Sequence, residues 1–307
     1  MKILVLGNSH GLDAARFVNA IYHREKPEEE LVLGALYHSG ATVQMYEDFL
    51  LNDRPKLGYY KNDGKNPEKQ WVIQPEFVGK YAILDEKWDI VILQHQNQLT
   101  GLDSSYNKNS WLTVHKYVED LLGYKPRWIW NMLWVNPDTY ELYVGEDAPL
   151  AHPRAADYKL RYERDFPGPD GKYSHRVLYD LINEKTQKYI VDTTEFLGEN
   201  VYEMLLPAAS AIEYALDVLK RPDPEIFRDW THLNDYGRLI AGYVWYCKLE
   251  GIERLEDIQL DEIPAAQHRV ASCYPDPENL KLTEKMKQDL LQCVNWALKH
   301  PFSCPTE

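Results

Sequence analysis

Short apolar runs alternate along the chain with segments of helical periodicity. Lys2–Leu6 (KILVL), Leu31–Tyr37, Asp89–Leu93 (DIVIL), Arg127–Val135 (RWIWNMLWV) and Met204–Leu206 read as buried strands. Asp13–Glu25 carries Ala14, Phe17, Val18 and Ile21 at helical spacing. Trp111–Leu122, Arg176–Tyr189, Ser210–Leu219 and Tyr236–Leu249 follow the same period. Strands without polar alternation are covered on both faces, which predicts a parallel sheet between two helical layers. Five such strands predict a doubly wound, flavodoxin-like α/β/α sandwich of order 2-1-3-4-5, in a single domain over 1–307.

Two segments break the alternation. Residues 52–74 contain Gly58-Tyr59-Tyr60, Asp63-Gly64 and Trp71-Val72-Ile73, and read as a hairpin insertion. Residues 136–173 are rich in Pro, Asp and Tyr, with a weak helical patch near Tyr158–Tyr162. Both are expected at the carboxyl edge of the sheet, where such folds bind ligands. A polar extension, about 250–307, ends in a helix over Thr283–Lys299.

Composition narrows the classes. A net charge of −14 repels phosphate backbones and disfavours nucleic acid and anionic membrane as partners. The apolar start, Ile3–Leu6, stops at Gly7-Asn8-Ser9, too short for an export signal, so a cytoplasmic location is expected. Cys247, Cys273, Cys293 and Cys304 form no CxxC pair and are expected to be reduced thiols.

Gly7-Asn8-Ser9-His10-Gly11 matches the GxSxG nucleophile elbow, but here it follows the first strand, which argues against the α/β-hydrolases. The turn still sets a serine hydroxyl at a helix N-terminus, where negative charge is favoured. Capping of the helix is the plainer role for Ser9. Far along the chain, Asp229-Trp230-Thr231-His232 opens another amphipathic helix. A serine nucleophile needs a base, and the base needs an orienting carboxylate; Asp and His three apart on one turn supply both. The predicted topology brings the two turns to one edge.

The combination resembles the SGNH hydrolases, the GDSL-like lipases and esterases, with a serine block near the N-terminus and DxxH near the C-terminus. Gly-Asn-Ser after the first strand, Leu93-Gln94 after the third, and Asp229-x-x-His232-Leu233 followed by Gly237 and Val244-Trp245-Tyr246 look like one bacterial branch of unknown function. The resemblance covers about residues 1–250. It implies Ser9 as nucleophile, His232 as base and Asp229 as its orienting acid. It further implies an oxyanion hole from Ser9, Gly40 and Gln94, with Gln96 or Asn97 as alternatives to Gln94, because the usual asparagine of the third block is absent.

His10, His95 and Trp134 flank the predicted loops and are candidate substrate contacts. Histidines 10, 38 and 95 lack regular ligand spacing, so no metal and no cofactor are expected. Asp13 reads as a helix-dipole residue. The 9 Trp and 22 Tyr against 7 Phe favour ring stacking on sugars, with Tyr59, Tyr60, Trp71, Tyr106, Trp134 and Tyr140 as the candidates. The expected activity is a serine esterase acting on a small ester, foremost an O-acetyl group on a carbohydrate. The alternative is a non-catalytic sugar- or phosphate-binding module.

Overall fold

The computed structural model describes residues 1–63, 71–139, 155–192, 196–198, 201–263 and 280–305, with 142, 144 and 148 between them. Its centre is one sheet built from β1 (Lys2–Gly7), β2 (Val32–Tyr37), β3 (Leu57–Asn62), β4 (Val72–Phe77), β5 (Ile90–Leu93), β6 (Arg127–Asn131) and β7 (Tyr202–Leu206), in the order β4-β3-β2-β1-β5-β6-β7. Side chains alternate across β1. Ile3 and Val5 enter a core with α1 (Ser9–Ala15), α2 (Val18–Glu25), α9 (Ala208–Asp217), α10 (Asp235–Leu249) and α11 (Glu284–Lys299). Leu4 and Leu6 enter a second core with α3 (Val43–Leu51), α4 (Gly79–Ile83), α6 (Lys108–Leu122), α7 (Ala155–Asp165) and α8 (His175–Thr186), and the short α5 (Asn97–Thr100) follows β5. Burial on both faces is why these strands carry no polar alternation.

The expected five-stranded, wholly parallel sheet is corrected to seven strands of mixed direction. β2, β1, β5, β6 and β7 run parallel, whereas β3 pairs antiparallel with both β2 and β4. The extra pair comes from the segment read as an insertion. It follows α3 rather than a strand, so it extends the lateral edge of the sheet beside β2 instead of standing at its carboxyl end. Tyr59, Tyr60 and Trp71 are buried there, which explains the aromatic content of the hairpin without a ligand.

Other boundaries differ from expectation for local reasons. The helix expected over Asp13–Glu25 is two, α1 and α2, broken at Arg16 and Phe17. The fourth strand ends at Asn131; Met132–Val135 leave the sheet but stay buried, with Met132 N–H donating to Leu206 O. Asn107 caps α6, and Gly123, at φ +71°, ends it in the left-handed conformation that glycine tolerates. The C-terminal α11 packs on α9 and α10. Cys247, Cys293 and Cys304 are buried free thiols, and Cys273 lies outside the described residues. Among the described residues no helix is long and apolar enough to cross a membrane.

Candidate active site

β1 delivers the chain to a turn that is built around glycine. Asn8 adopts an extended conformation and caps α1, its Oδ1 accepting from His10 N–H at 3.1 Å. Ser9 is therefore the first residue of the helix, and its own N–H is one of the donors a helix leaves unpaired. A Cβ at Gly7 or Gly11 would meet the Gln94 amide at 3.2 and 2.8 Å. The two glycines that frame Ser9 thus make room for a glutamine beneath the turn.

The second turn lies between β7 and α10. An antiparallel bridge joins Phe227 and Leu233, and Arg228 N–H donates to His232 O at 3.0 Å. Inside this loop Asp229 Oδ1 accepts from the N–H groups of Thr231 and His232, each at 2.9 Å. The same carboxylate holds His232 Nδ1, at 3.0 Å from Oδ1 and 2.9 Å from Oδ2. With Nδ1–H committed to Asp229, Nε2 faces Ser9 Oγ at 2.7 Å. Burial works against ionisation of Asp229, but the bond and charge of His232, Arg228 and the Thr231 N–H outweigh it, and the carboxyl sits well below the usual range.

The loop is fixed to α1 by buried charge. Asp13, one helical turn after Ser9, takes Arg228 Nη1 at 3.0 Å, Arg238 Nε at 2.9 Å and the Leu233 N–H at 3.1 Å. Arg238 also donates to Asp235 at 2.8 Å. Desolvation would raise the Asp13 carboxyl, yet Arg228 and Arg238 hold it below its ordinary value. Asp13 is thus a buried clamp between the two turns, not a solvent-side dipole residue. The sequence pattern singles out neither arginine; Arg228, next to Asp229, is the available signal.

Gly40 lies on the turn after β2, at φ +63°. That turn is tied to the first, because Asn8 Nδ2 donates to Ala41 O at 3.2 Å. Gln94 does not reach this edge. It is 1% exposed; its Nε2 donates to Asn8 Oδ1 at 2.8 Å and its Oε1 accepts from Asn131 at 2.9 Å. The glutamine expected in the oxyanion hole is instead a buried strut under Asn8, since a side chain directly after β5 points back between strand and helix. Asn97 is also buried and committed, to Asn136 at 2.5 Å and to the Gln98 N–H at 2.7 Å. Gln96 is partly exposed, and its side-chain amide has no hydrogen bond among the described residues.

The three candidate substrate contacts are corrected as well, because all are interior. His10 is 5% exposed, with Nε2 on Thr231 Oγ1 at 3.0 Å and its ring between Trp134 and His232, at 5.2 and 5.5 Å. Burial and the neighbouring His232 pull it down to about 3, so it stays neutral. Trp134 is fully buried and donates to Thr231 O at 3.1 Å. His95 is fully buried against Tyr106 and Trp111, and burial pulls it down to about 3. Tyr106 belongs to that core too, and Tyr140 lies outside the described residues. The described members of the sugar-stacking set, Tyr59, Tyr60, Trp71, Tyr106 and Trp134, are therefore packing.

These features define an α/β protein with a Ser–His–Asp constellation at the carboxyl edge of its parallel strands. No protein-family profile matches the chain, and no curated protein matches it. Among solved structures, a DUF4886 family protein from Bacteroides uniformis is 18% identical, with a TM-score of 0.70, covering 100% of this chain and 97% of that one. The chain shares that protein's fold. A candidate SGNH hydrolase from Slackia heliotrinireducens is 16% identical, with a TM-score of 0.44, covering 81% of this chain and 98% of its own. A catalytic mutant of Axe2, an acetylxylan esterase from Geobacillus stearothermophilus, is 10% identical, with a TM-score of 0.41, over 81% and 93% of the two chains.

Proposed function

We propose that the protein is a serine hydrolase of the SGNH type that cleaves a small ester through an acyl-enzyme. The observation that carries this reading is the continuous line Asp229–His232–Ser9, with Nε2 2.7 Å from Oγ. A ligand-binding module has no need of a base on its serine, so the same distance weighs against the non-catalytic alternative. Ser9 Oγ attacks the carbonyl carbon while His232 Nε2 takes the hydroxyl proton. Asp229 keeps the imidazole in the required tautomer and stabilises the imidazolium. The oxyanion is held by the N–H groups of Ser9 and Gly40 and by the Gln96 amide, which replaces Gln94 in that role. Collapse of the tetrahedral intermediate expels the alcohol, protonated by His232, and leaves acyl–Ser9. Water then attacks with His232 as base and releases the acid.

Carbohydrate O-acetyl esters are the substrate class we propose. Among the described residues, the large exposed apolar side chains are Leu51, Ile73, Tyr81, Leu84, Leu112, Leu160 and Val191. None stands on the turns that carry Ser9, Gly40, Gln96 or His232, where a long acyl chain would need an apolar wall. The test compares acetylated mono- and oligosaccharides with aryl esters from acetyl to octanoyl. Turnover should be highest for acetyl and include a sugar acetate. Efficiency that climbs with chain length, with no sugar acetate cleaved, would leave a general esterase. No ester hydrolysis above that of the Ser9→Ala protein would overturn the reading.

A further inference from the structure

A second cluster of polar side chains lies beside the candidate active site and shares no residue with it. Glu213, on α9, is 0% exposed, and neither carboxylate oxygen makes a hydrogen bond. A buried carboxylate without a hydrogen bond is costly. Its Oε1 points at His175 Nε2, 3.5 Å away, at the start of α8. Asp217 stands four residues along α9 on the same face, with Oδ1 3.1 Å from the same nitrogen. One donor atom from each of the three residues lies within 4.8 Å of the others.

The other side of the imidazole is already fixed. Asp138 Oδ2 is 2.7 Å from His175 Nδ1. Nε2 is hydrogen-bonded to Asp217 Oδ1, so carboxylates on both nitrogens favour a ring that donates on each side. An ion would take the place of the Nε2 proton and leave Nδ1–H on Asp138, the arrangement found behind metal-bound histidines. Arg176 sits 3.4 Å from Asp217 Oδ2, which leaves Oδ1 turned to the cluster. Tetrahedral zinc with bonds of about 2.0–2.2 Å has ligand–ligand edges of about 3.3–3.6 Å; the Glu213 distance of 3.5 Å falls in that range and the Asp217 distance of 3.1 Å just below it. The side chains of His175 and Asp217 are 18% and 21% exposed, so an ion can enter.

We propose that His175, Glu213 and Asp217 bind one divalent transition-metal ion, with zinc favoured over magnesium. An imidazole ligand suits zinc, whereas magnesium keeps an octahedral oxygen shell. The ion is a brace and does no chemistry on the ester. It ties α8 to α9 and, through Asp138, to the chain after β6. That segment in turn accepts the Trp230 N–H on Pro137 O at 3.0 Å, one residue from Asp229. The spacing 175, 213, 217 matches no compact ligand motif, so the sequence pointed to no metal.

The test uses the untagged full chain, stripped with chelator and dialysed against zinc, with elemental analysis and thermal unfolding as readouts. The wild type should hold one zinc per chain and unfold at a higher temperature with zinc than without. Glu213→Gln and His175→Gln should each weaken binding by about 100-fold or more, whereas His232→Ala should keep the ion. Three results would each overturn the proposal: no stoichiometric zinc in the wild type, wild-type affinity in both variants, or loss of the ion in His232→Ala. The wild-type stoichiometry decides the matter even if a variant fails to fold. It also excludes a proton shared among the three side chains, which would leave no metal to count.

Discussion

At the scale of single residues, the reading assigns different work to side chains that look alike in the sequence. Ser9→Ala removes one hydroxyl from a capped helix start. It should lower ester turnover on the order of 10³-fold or more while the melting temperature holds. His232→Ala should cost about as much and Asp229→Ala somewhat less, because such residues act as a unit. Steady-state kinetics on an aryl acetate would measure all three, and a Ser9→Ala protein with wild-type turnover would contradict the mechanism. The two glutamines after β5 should separate. Gln96→Ala should lower kcat by about 10²–10³-fold, as the loss of one oxyanion donor does, with little change in stability. Gln94→Ala leaves Asn8 and Asn131 short of buried partners and should destabilise the fold by about 1–3 kcal/mol. If kcat follows Gln94 and ignores Gln96, the donor assignment is wrong. The serine and the Asp–His pair were legible in sequence because each keeps its chemistry within a few residues. The proposed donor was not, since two amides two residues apart differ only in which way β5 releases them.

At the scale of elements, two contacts set the distance between the serine turn and the histidine turn. The Asp13 carboxylate joins α1 to the loop before α10 through Arg228, Arg238 and the Leu233 N–H. Asp13→Ala would leave the buried Arg228 guanidinium without this anion and Arg238 with Asp235 alone, a loss of about 3–5 kcal/mol in denaturant unfolding. A change below 1 kcal/mol would remove the clamp from the account. Gly237, near the start of α10, approaches the same loop so closely that a Cβ would lie 2.5 Å from Ile226 O. Backbone cannot yield as a side chain does, so Gly237→Ala should shift the loop and lower kcat more than it changes KM. The parallel strands were readable from their apolar runs because both faces are covered. The hairpin's place was not, because the sequence displays its turn residues but not α3 ahead of it, and α3 is what sends it to the lateral edge. The tyrosine and tryptophan excess misled for a related reason. A large two-faced sheet needs bulky filling, and Trp88, Trp111, Trp128, Trp130 and Trp134 supply it.

At the scale of the molecule, burial of histidine couples the fold to pH. His10, His95 and His115 are all held neutral inside, with burial pulling each down to about 3. An unfolded histidine titrates at about 6.5. Between those values the unfolded chain binds protons that the folded chain refuses, so stability is present in full above the upper value and is lost as pH falls. Asp13 and Asp229, held low in the fold, add a further loss below about pH 4. Glu213 and Asp223, which burial pushes up to about 8 and about 6, keep protons in the fold and work in the opposite sense, so the histidines are followed one by one: NMR from pH 7 to pH 5 should show the rings of His10, His95 and His115 neutral throughout. A proton gained by any of the three in the folded protein above pH 5 would contradict the buried neutral histidines. The central claim, that Ser9 is an activated nucleophile, is tested most directly by a fluorophosphonate probe followed by intact-mass analysis and peptide mapping. The account predicts one adduct per chain, on Ser9, absent from Ser9→Ala and strongly slowed in His232→Ala. No adduct on the folded wild type, or an adduct on another residue with Ser9 untouched, would contradict it.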